Sequence, residues 1–115
     1  RKTLVEHTQY LDKIGQLVCR VNLEKDSGKG TFFAPCAYEI DSLDLLTREV
    51  FGPILHIIRF RAHELPNVIA AINNTGYGLT LGVHTRIDST AEYIQQNVCA
   101  GNTYINRNMI GAVVG

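Results

Sequence analysis

The sequence predicts an α/β fold, a partial parallel three-layer sheet with helices packed on its strands. Short apolar runs, as expected of buried strands, alternate with segments whose apolar residues recur at helical spacing. The order strand, helix, strand, helix, strand with short connections is typical of βαβ units, which place neighbouring strands in parallel. At 115 residues the chain is long enough for a single domain, residues 1–115.

The first half is predicted to contain one helix and several shorter segments. Residues 3–14 place Leu4, Thr8 and Leu11 near one face of a helix, and Gly15 follows as a stop. A strand is predicted at residues 17–21, and a polar loop follows at residues 22–30. An extended stretch interrupted by proline is predicted at residues 31–40 and a helical turn at residues 41–44.

The second half has more regular patterns. Residues 53–60 are apolar at nearly every position, as in a strand covered on both faces. Residues 64–74 have helical spacing, and Gly76 follows their end. Ser89 and Glu92 are spaced as a capping box, which predicts a helix up to residue 97. The strands that flank this second helix are predicted at residues 79–84 and 101–106.

Composition argues against several classes of function. Lys plus Arg and Asp plus Glu both number 11, so the basic surplus expected of a nucleic-acid-binding protein is missing. No apolar run approaches the about 20 residues of a membrane span. Cys19, Cys36 and Cys99 lie far apart beside apolar residues, which predicts reduced thiols packed as small hydrophobes in a cytoplasmic protein. Without clustered Cys or His residues, no metal site is predicted.

Short motifs for phosphate or dinucleotide binding fail on inspection. A P-loop needs glycine where Leu23 stands and Ser or Thr directly after Lys29, where this chain has glycine. Gly76, Gly78 and Gly82 follow a predicted helix and do not have the dinucleotide-binding spacing. No nucleophile and base can be paired from local spacing either. From residue patterns alone, the prediction is an α/β domain without an assigned role.

Glu49-Val50-Phe51-Gly52-Pro53 resembles the E-I/V-F-G-P element of the aldehyde dehydrogenase superfamily. Residues 74–79 (NTGYGL) and 101–106 (GNTYIN) resemble two further elements of that family. The three occur in the family's order, at similar separations, and they coincide with the strands and helices predicted above. The resemblance covers nearly the whole chain and is strongest from Thr31 onward.

The resemblance implies a role in binding NAD for the first element. In the family, the glutamate accepts hydrogen bonds from the nicotinamide ribose hydroxyls, and the phenylalanine packs near the nicotinamide. Glu49 and Phe51 take these roles by match, and an ionised carboxylate can accept two hydroxyl donors at once. The alternative reading of the pair is a surface acid and a core phenylalanine before a strand.

Residues 76–88 and 106–115 narrow the resemblance to the glutamate-semialdehyde (1-pyrroline-5-carboxylate) dehydrogenase branch. They resemble in particular the dehydrogenase module of the bacterial proline utilization A proteins. In that branch, the loop matched by Gly111 and Ala112 anchors the substrate's α-carboxylate through backbone N–H groups. Glycine permits such close approach, and exposed amides bind carboxylates well. The alternative for Gly111 and Ala112 is a plain turn after a strand.

The family's thiol nucleophile, general base and NAD-binding domain all lie upstream of the E-I/V-F-G-P element, so no catalytic residue is assigned in this chain. The opening at Arg1 without methionine and the ending at Gly115 lead us to expect a piece of the catalytic domain of a longer enzyme. The implied reaction is NAD-dependent oxidation of L-glutamate γ-semialdehyde to L-glutamate in proline catabolism, and the chain alone is expected to be inactive.

The resemblance also implies partners outside the chain. They are the small-molecule substrate, the remainder of the polypeptide and further copies in a homo-oligomer. FAD would belong only to a separate proline dehydrogenase domain of the same polypeptide. Two alternatives stay open. One is a non-catalytic α/β interaction module derived from the fold, and the other is an aldehyde dehydrogenase of a different substrate branch.

Overall fold

Residues 1–23 and 30–110 are described by a computed structural model, in which the chain forms two units, Arg1–Arg59 and Phe60–Gly115. The predicted polar loop at residues 22–30 falls mostly outside the described residues. Each unit has its own small sheet and its own helices.

The first unit begins with the predicted helix and continues into a three-stranded sheet. Its elements are α1 (Lys2–Ile14), β1 (Gly15–Arg20), β2 (Cys36–Ile40) and β3 (Ile54–Ile57), with a 3-10 turn at Leu43–Leu45. The strand order is β1-β2-β3, with β2 parallel to β3 and antiparallel to β1. The helix, the three strand regions and the helical turn are confirmed. The antiparallel pairing of β1 with β2 was not indicated by the sequence, which predicted a parallel sheet.

The core of this unit lies between α1 and β2. Leu11 and Tyr38 are fully buried, and Cys36 and Ile40 complete the cluster. Alternate residues of a strand share a face, which explains why Cys36, Tyr38 and Ile40 all meet the helix. Burial of the Cys36 thiol confirms its prediction as a small hydrophobe.

The other two cysteines correct that prediction, because Cys19 and Cys99 are exposed. Cys19 lies on β1, at one end of the strand order, where the register with β2 shifts between Leu17 and Cys19. Strand residues at such an edge have a neighbour on one side only, so apolar flanking residues do not guarantee burial.

The prediction that residues 53–60 form a strand covered on both faces is also wrong in this chain. The strand is shorter, Ile54–Ile57, and Leu55 is 60% exposed. The side chain of His56 meets α1, and the alternation of a strand turns Leu55 to the opposite face. A continuous apolar run therefore identified the strand correctly but not the covering of its second face.

The second unit has the helix, strand, helix, strand order that the sequence predicts. A 3-10 turn (Ala62–Glu64) leads into α2 (Leu65–Asn74), β4 (Thr80–Val83), α3 (Asp88–Asn97) and β5 (Asn102–Ile105). Strands β4 and β5 pair in parallel across the α3 connection, as expected of a βαβ unit. The parallel pairs in both units confirm the α/β class, although the five described strands form two sheets.

The predicted capping box of α3 is wrong. The helix begins at Asp88 with Ile87 as its N-cap, without a side-chain cap hydrogen bond. The Thr85 hydroxyl accepts from the Ile87 amide at 3.1 Å, which fixes the chain just before the helix. The N-cap therefore lies two residues before the predicted Ser89. Ser89 is inside the first turn, where it cannot serve as N-cap, while Asp88 complements the helix dipole.

Candidate functional site

The segment matched to the E-I/V-F-G-P element lies immediately before β3 and presents its side chains to solvent. Glu49 is exposed, and Phe51 is 84% exposed. Among the described residues, no hydrogen bond or ion pair involves the Glu49 carboxylate. The exposure of Phe51 removes the alternative of a core phenylalanine within the described residues. An exposed carboxylate and an exposed ring fit a ligand that has hydroxyl donors beside a flat aromatic group.

The backbone after Phe51 is held firmly. Gly52 has φ +155°, a conformation that other residues rarely adopt, and a Cβ there would overlap the Leu4 side chain of α1. The Ile54 amide donates to the Gly52 carbonyl at 2.9 Å, and the Cys36 amide donates to the Pro53 carbonyl at 3.0 Å. The segment is therefore fixed both to α1 and to the start of β2.

Helix α1 contacts the residues on both sides of this segment. The Tyr10 hydroxyl donates to the Leu45 carbonyl at 2.9 Å, and the Nε2 atoms of His7 and His56 are 2.9 Å apart. A cavity of about 150 Å³ lies between the helix and the chain that leads to Glu49. It is lined by Glu6, His7, Tyr10, Leu45, Thr47 and Arg48.

Burial lowers the pKa of both histidines. For His7 the cation of Arg48 adds to the effect, and for His56 the neighbouring His7 does. Both causes disfavour a positive charge on the rings, so the neutral pair is the favoured form near neutral pH.

A second polar link fixes α1 to the sheet. The buried Tyr38 hydroxyl donates to Asp12 Oδ1 at 2.6 Å and accepts from Arg20 Nη2 at 2.8 Å. Burial, together with the hydrogen bond to Asp12, raises the pKa of Tyr38 to about 12. One phenol thus connects α1, β1 and β2, a link between distant residues that no local sequence pattern indicates.

In the second unit, Asn106 joins the carboxyl ends of β4 and β5. Its amide donates to the Val83 carbonyl at 2.8 Å, and its side-chain oxygen accepts from the Thr85 amide at 2.9 Å. It has φ +55°, a left-handed conformation that asparagine tolerates better than most residues. The Arg107 guanidinium then lies 5.2 Å from the centroid of the Tyr104 ring.

After Asn106, the Met109 side chain packs against Gly82 of β4. The predicted substrate-binding residues Gly111 and Ala112 lie outside the described residues. Sequence reasoning assigned no role to Asn106, although an asparagine that ends a strand is a recognisable signal for a left-handed turn. Asn106 sets the direction in which the chain leaves β5.

In the two described stretches, no group of three His, Cys, Asp or Glu side chains could hold a metal ion. None of the helices there is both long enough and apolar enough to cross a membrane.

The chain belongs to the aldehyde dehydrogenase family, whose model matches residues 3–115. The bifunctional protein PutA of Rhizobium meliloti is 44% identical over 115 residues, which cover 100% of this chain and 9% of that protein. The family and the branch that the sequence motifs indicated are therefore confirmed.

Solved structures agree with this assignment. A mutant of proline utilization A from Bradyrhizobium japonicum matches with a TM-score of 0.89 and 46% identity, over 99% of this chain and 11% of that one. A 1-pyrroline-5-carboxylate dehydrogenase from Thermus with bound NAD matches with a TM-score of 0.81 and 31% identity, over 99% and 22%. The chain thus spans a small part of the length of the relatives that it matches.

Proposed function

We propose that the chain is the C-terminal part of the catalytic domain of an NAD-dependent dehydrogenase that oxidises L-glutamate γ-semialdehyde to L-glutamate in proline breakdown. The observation that carries the proposal is similarity over the whole chain to proline utilization A and 1-pyrroline-5-carboxylate dehydrogenases. The Glu49 carboxylate and the Phe51 ring are exposed to solvent in the segment just before β3.

Glu49 and Phe51 are proposed to position NAD. The carboxylate accepts hydrogen bonds from the two nicotinamide ribose hydroxyls, and the ring packs beside the nicotinamide. When bound, NAD supplies the acceptor for the hydride that leaves the substrate. The close packing of Leu4 on Gly52 fixes the backbone three residues after Glu49 before the cofactor binds, and order that exists before binding reduces the ordering cost of binding.

Gly111 and Ala112 are proposed to bind the substrate's α-carboxylate through their backbone N–H groups. The chain that leads to this loop is fixed where it leaves β5, because Asn106 is hydrogen-bonded to both Val83 and Thr85. No residue of this chain is proposed to attack the aldehyde, and the nucleophile is assigned to another segment of the same polypeptide. The NAD-binding domain, any FAD-dependent proline dehydrogenase domain, a homo-oligomeric assembly and a cytoplasmic location belong to the same proposal.

Substitution of Glu49 in the complete enzyme tests the cofactor role. Glu49→Gln keeps the shape of the side chain but replaces a charged acceptor, and a hydrogen bond to a charged group contributes about 1.5–3 kcal/mol. We expect the KM for NAD to rise about tenfold to a hundredfold, with the protein still folded. Glu92→Gln is the matched control, because Glu92 on α3 is also exposed, and this variant should change neither the KM for NAD nor kcat. Unchanged KM and kcat in Glu49→Gln would show that the assigned role is wrong.

The substrate class has a separate test. In the complete enzyme, glutamate should compete with the aldehyde substrate, because its α-carboxylate occupies the same backbone amides. A simple aliphatic aldehyde that is oxidised as efficiently as glutamate semialdehyde, without inhibition by glutamate, would assign the enzyme to another branch. The 115-residue chain by itself should not reduce NAD above a blank, and measurable reduction would contradict the placement of the nucleophile elsewhere.

A further inference from the structure

Two imidazole rings that the proposed reaction does not use join α1 to β3. His7 and His56 are 49 residues apart in sequence, yet their Nε2 atoms are 2.9 Å apart. The rings meet edge to face, with centroids 5.2 Å apart and planes at 72°. A neutral imidazole carries one N–H and one lone pair. At this distance one Nε2 must therefore donate and the other must accept.

Proton binding changes this contact in two stages. A first proton can bind the far nitrogen, Nδ1, of the donor ring and leave the Nε2–H···Nε2 bond intact. A second proton must bind the accepting Nε2, which places two N–H groups and two positive charges face to face. The hydrogen bond exists without protons or with one, and it is lost in the doubly protonated pair.

The surroundings disfavour protonation on balance. His7 is only 9% exposed, and the Arg48 cation lines the same cavity. Two carboxylates on α1 act in the opposite sense, but both are engaged elsewhere. Glu6 is exposed and pairs with Lys2 at 3.9 Å, and Asp12 accepts from the phenol of Tyr38. Among the described residues, Tyr10 on α1 stacks on His7, and Tyr38 on β2 is the register partner of His56. The hydroxyl of Tyr38 is in turn bound by Arg20 of β1.

The helix that this pair holds also supports the segment before β3. Leu4 fills the space beside Gly52, and Tyr10 donates to Leu45. We propose that His7 and His56 form an acid-labile clasp that keeps α1 seated against residues 45–53. The clasp itself is independent of the proposed function, and only its effect on NAD binding rests on that function.

The direction of the pH effect follows from the lowered pKa of both rings. Because the folded pKa values lie below the ordinary value of about 6.5, the unfolded or undocked state binds more protons. The contribution of the clasp is therefore complete above about pH 6.5 and is lost as the pH falls below it. Near neutral pH the helix should be fully seated.

Hydrogen exchange of the α1 amides in the 115-residue chain tests the clasp. Rates are compared between about pH 7.5 and about pH 5 after correction for the intrinsic pH dependence of exchange. We expect protection of residues 2–14 to fall about fivefold in the acid, the equivalent of one hydrogen bond of about 1 kcal/mol. The double variant His7→Gln/His56→Gln should show no such pH-dependent loss. The control His63→Gln, an exposed histidine outside the pair, should behave like the wild type.

The same pH-dependent loss in the double variant as in the wild type would overturn the clasp. Where the double variant does not fold, an NMR titration of the wild-type histidines decides. His7 and His56 should titrate below the ordinary value of about 6.5, and ordinary titration of both would overturn the proposal. In the complete enzyme, acid should raise the KM for NAD in the wild type only. A KM unchanged while α1 loosens would support the clasp and refute the link to NAD binding.

Discussion

Removal of the Tyr38 hydroxyl isolates the polar link between α1 and the sheet. Tyr38→Phe keeps the buried ring and deletes only the oxygen that bonds to Asp12 at 2.6 Å and to Arg20 at 2.8 Å. A hydrogen bond to a charged group contributes about 1.5–3 kcal/mol. Asp12 and Arg20 are both exposed and regain water in the variant. The expected loss is therefore at the lower end of that range, about 1.5–2 kcal/mol for the pair.

Urea unfolding of the 115-residue chain, followed by far-UV circular dichroism, measures this loss. With a slope of about 1–3 kcal/mol per molar urea, the midpoint should fall by about 0.5–2 M. Tyr93→Phe, on the partly exposed face of α3, is the matched control, and its free energy of unfolding should stay within about 0.5 kcal/mol of the wild type. A Tyr38→Phe variant indistinguishable from this control would refute the link as a source of stability.

Alkaline pH provides an independent check on the same residue. The pKa of Tyr38, raised to about 12 in the folded chain, lies above the ordinary value of about 10. The folded state therefore holds the phenol proton more tightly, so this contribution to stability is complete below about pH 10 and declines as the pH rises towards 12. The wild type should lose more stability than Tyr38→Phe across this interval, and equal losses would contradict burial of the phenol.

The remaining predictions concern backbone positions with positive φ. Gly52→Ala should destabilise the chain by at least about 1–3 kcal/mol, because a strained backbone is combined with overlap on Leu4. Gly76→Ala is the control, since its φ is +73° but nothing lies within 4 Å of the added methyl group; a loss as large as that of Gly52→Ala would argue against the overlap. Asn106→Gly keeps the left-handed turn but deletes the acceptor for the Thr85 amide, which should lower the free energy of unfolding, measured by urea, by about 0.5–1.5 kcal/mol. A larger loss in Asn106→Gly than in Asn106→Ala would show that the turn conformation is not the limiting feature.

Periodicity located most helices and strands, because the burial of one helical face or one strand run leaves a direct pattern in the sequence. The start of α3 was misplaced, since a hydroxyl at Thr85 orients the chain before the helix and the spacing of Ser89 and Glu92 matched a capping box by coincidence. Exposure of Leu55 and Cys19 was also missed. Which face of a strand is covered depends on packing partners that the residues of the strand do not specify.

In the candidate site, too, the sequence indicated a local motif but not the distant contacts that support it. Glu49 and Phe51 were assigned through a short motif, and their role in NAD binding stays a prediction. The glycine of the motif has a structural reason, because Gly52 has a positive φ that other residues rarely adopt. The contacts that hold the motif in place were not found. Leu4 and His7 lie more than forty positions earlier in the sequence, and no spacing rule relates them to Gly52 or His56.

Helix α1 lies in the region that resembles the family least, yet it supports the segment that contains the E-I/V-F-G-P motif. The resemblance is weak before Thr31, yet within the described residues three side-chain hydrogen bonds, those of His7, Tyr10 and Asp12, connect α1 to the sheet and to the segment around the motif. Different residues could hold a helix in this place equally well, whereas few could replace Glu49 in the role proposed for it, because that role needs an acceptor for two hydroxyl groups. Variation in α1 should thus be tolerated wherever its packing on β2 is kept, and a helix repacked with apolar residues at both histidine positions should retain the fold but lose its response to acid.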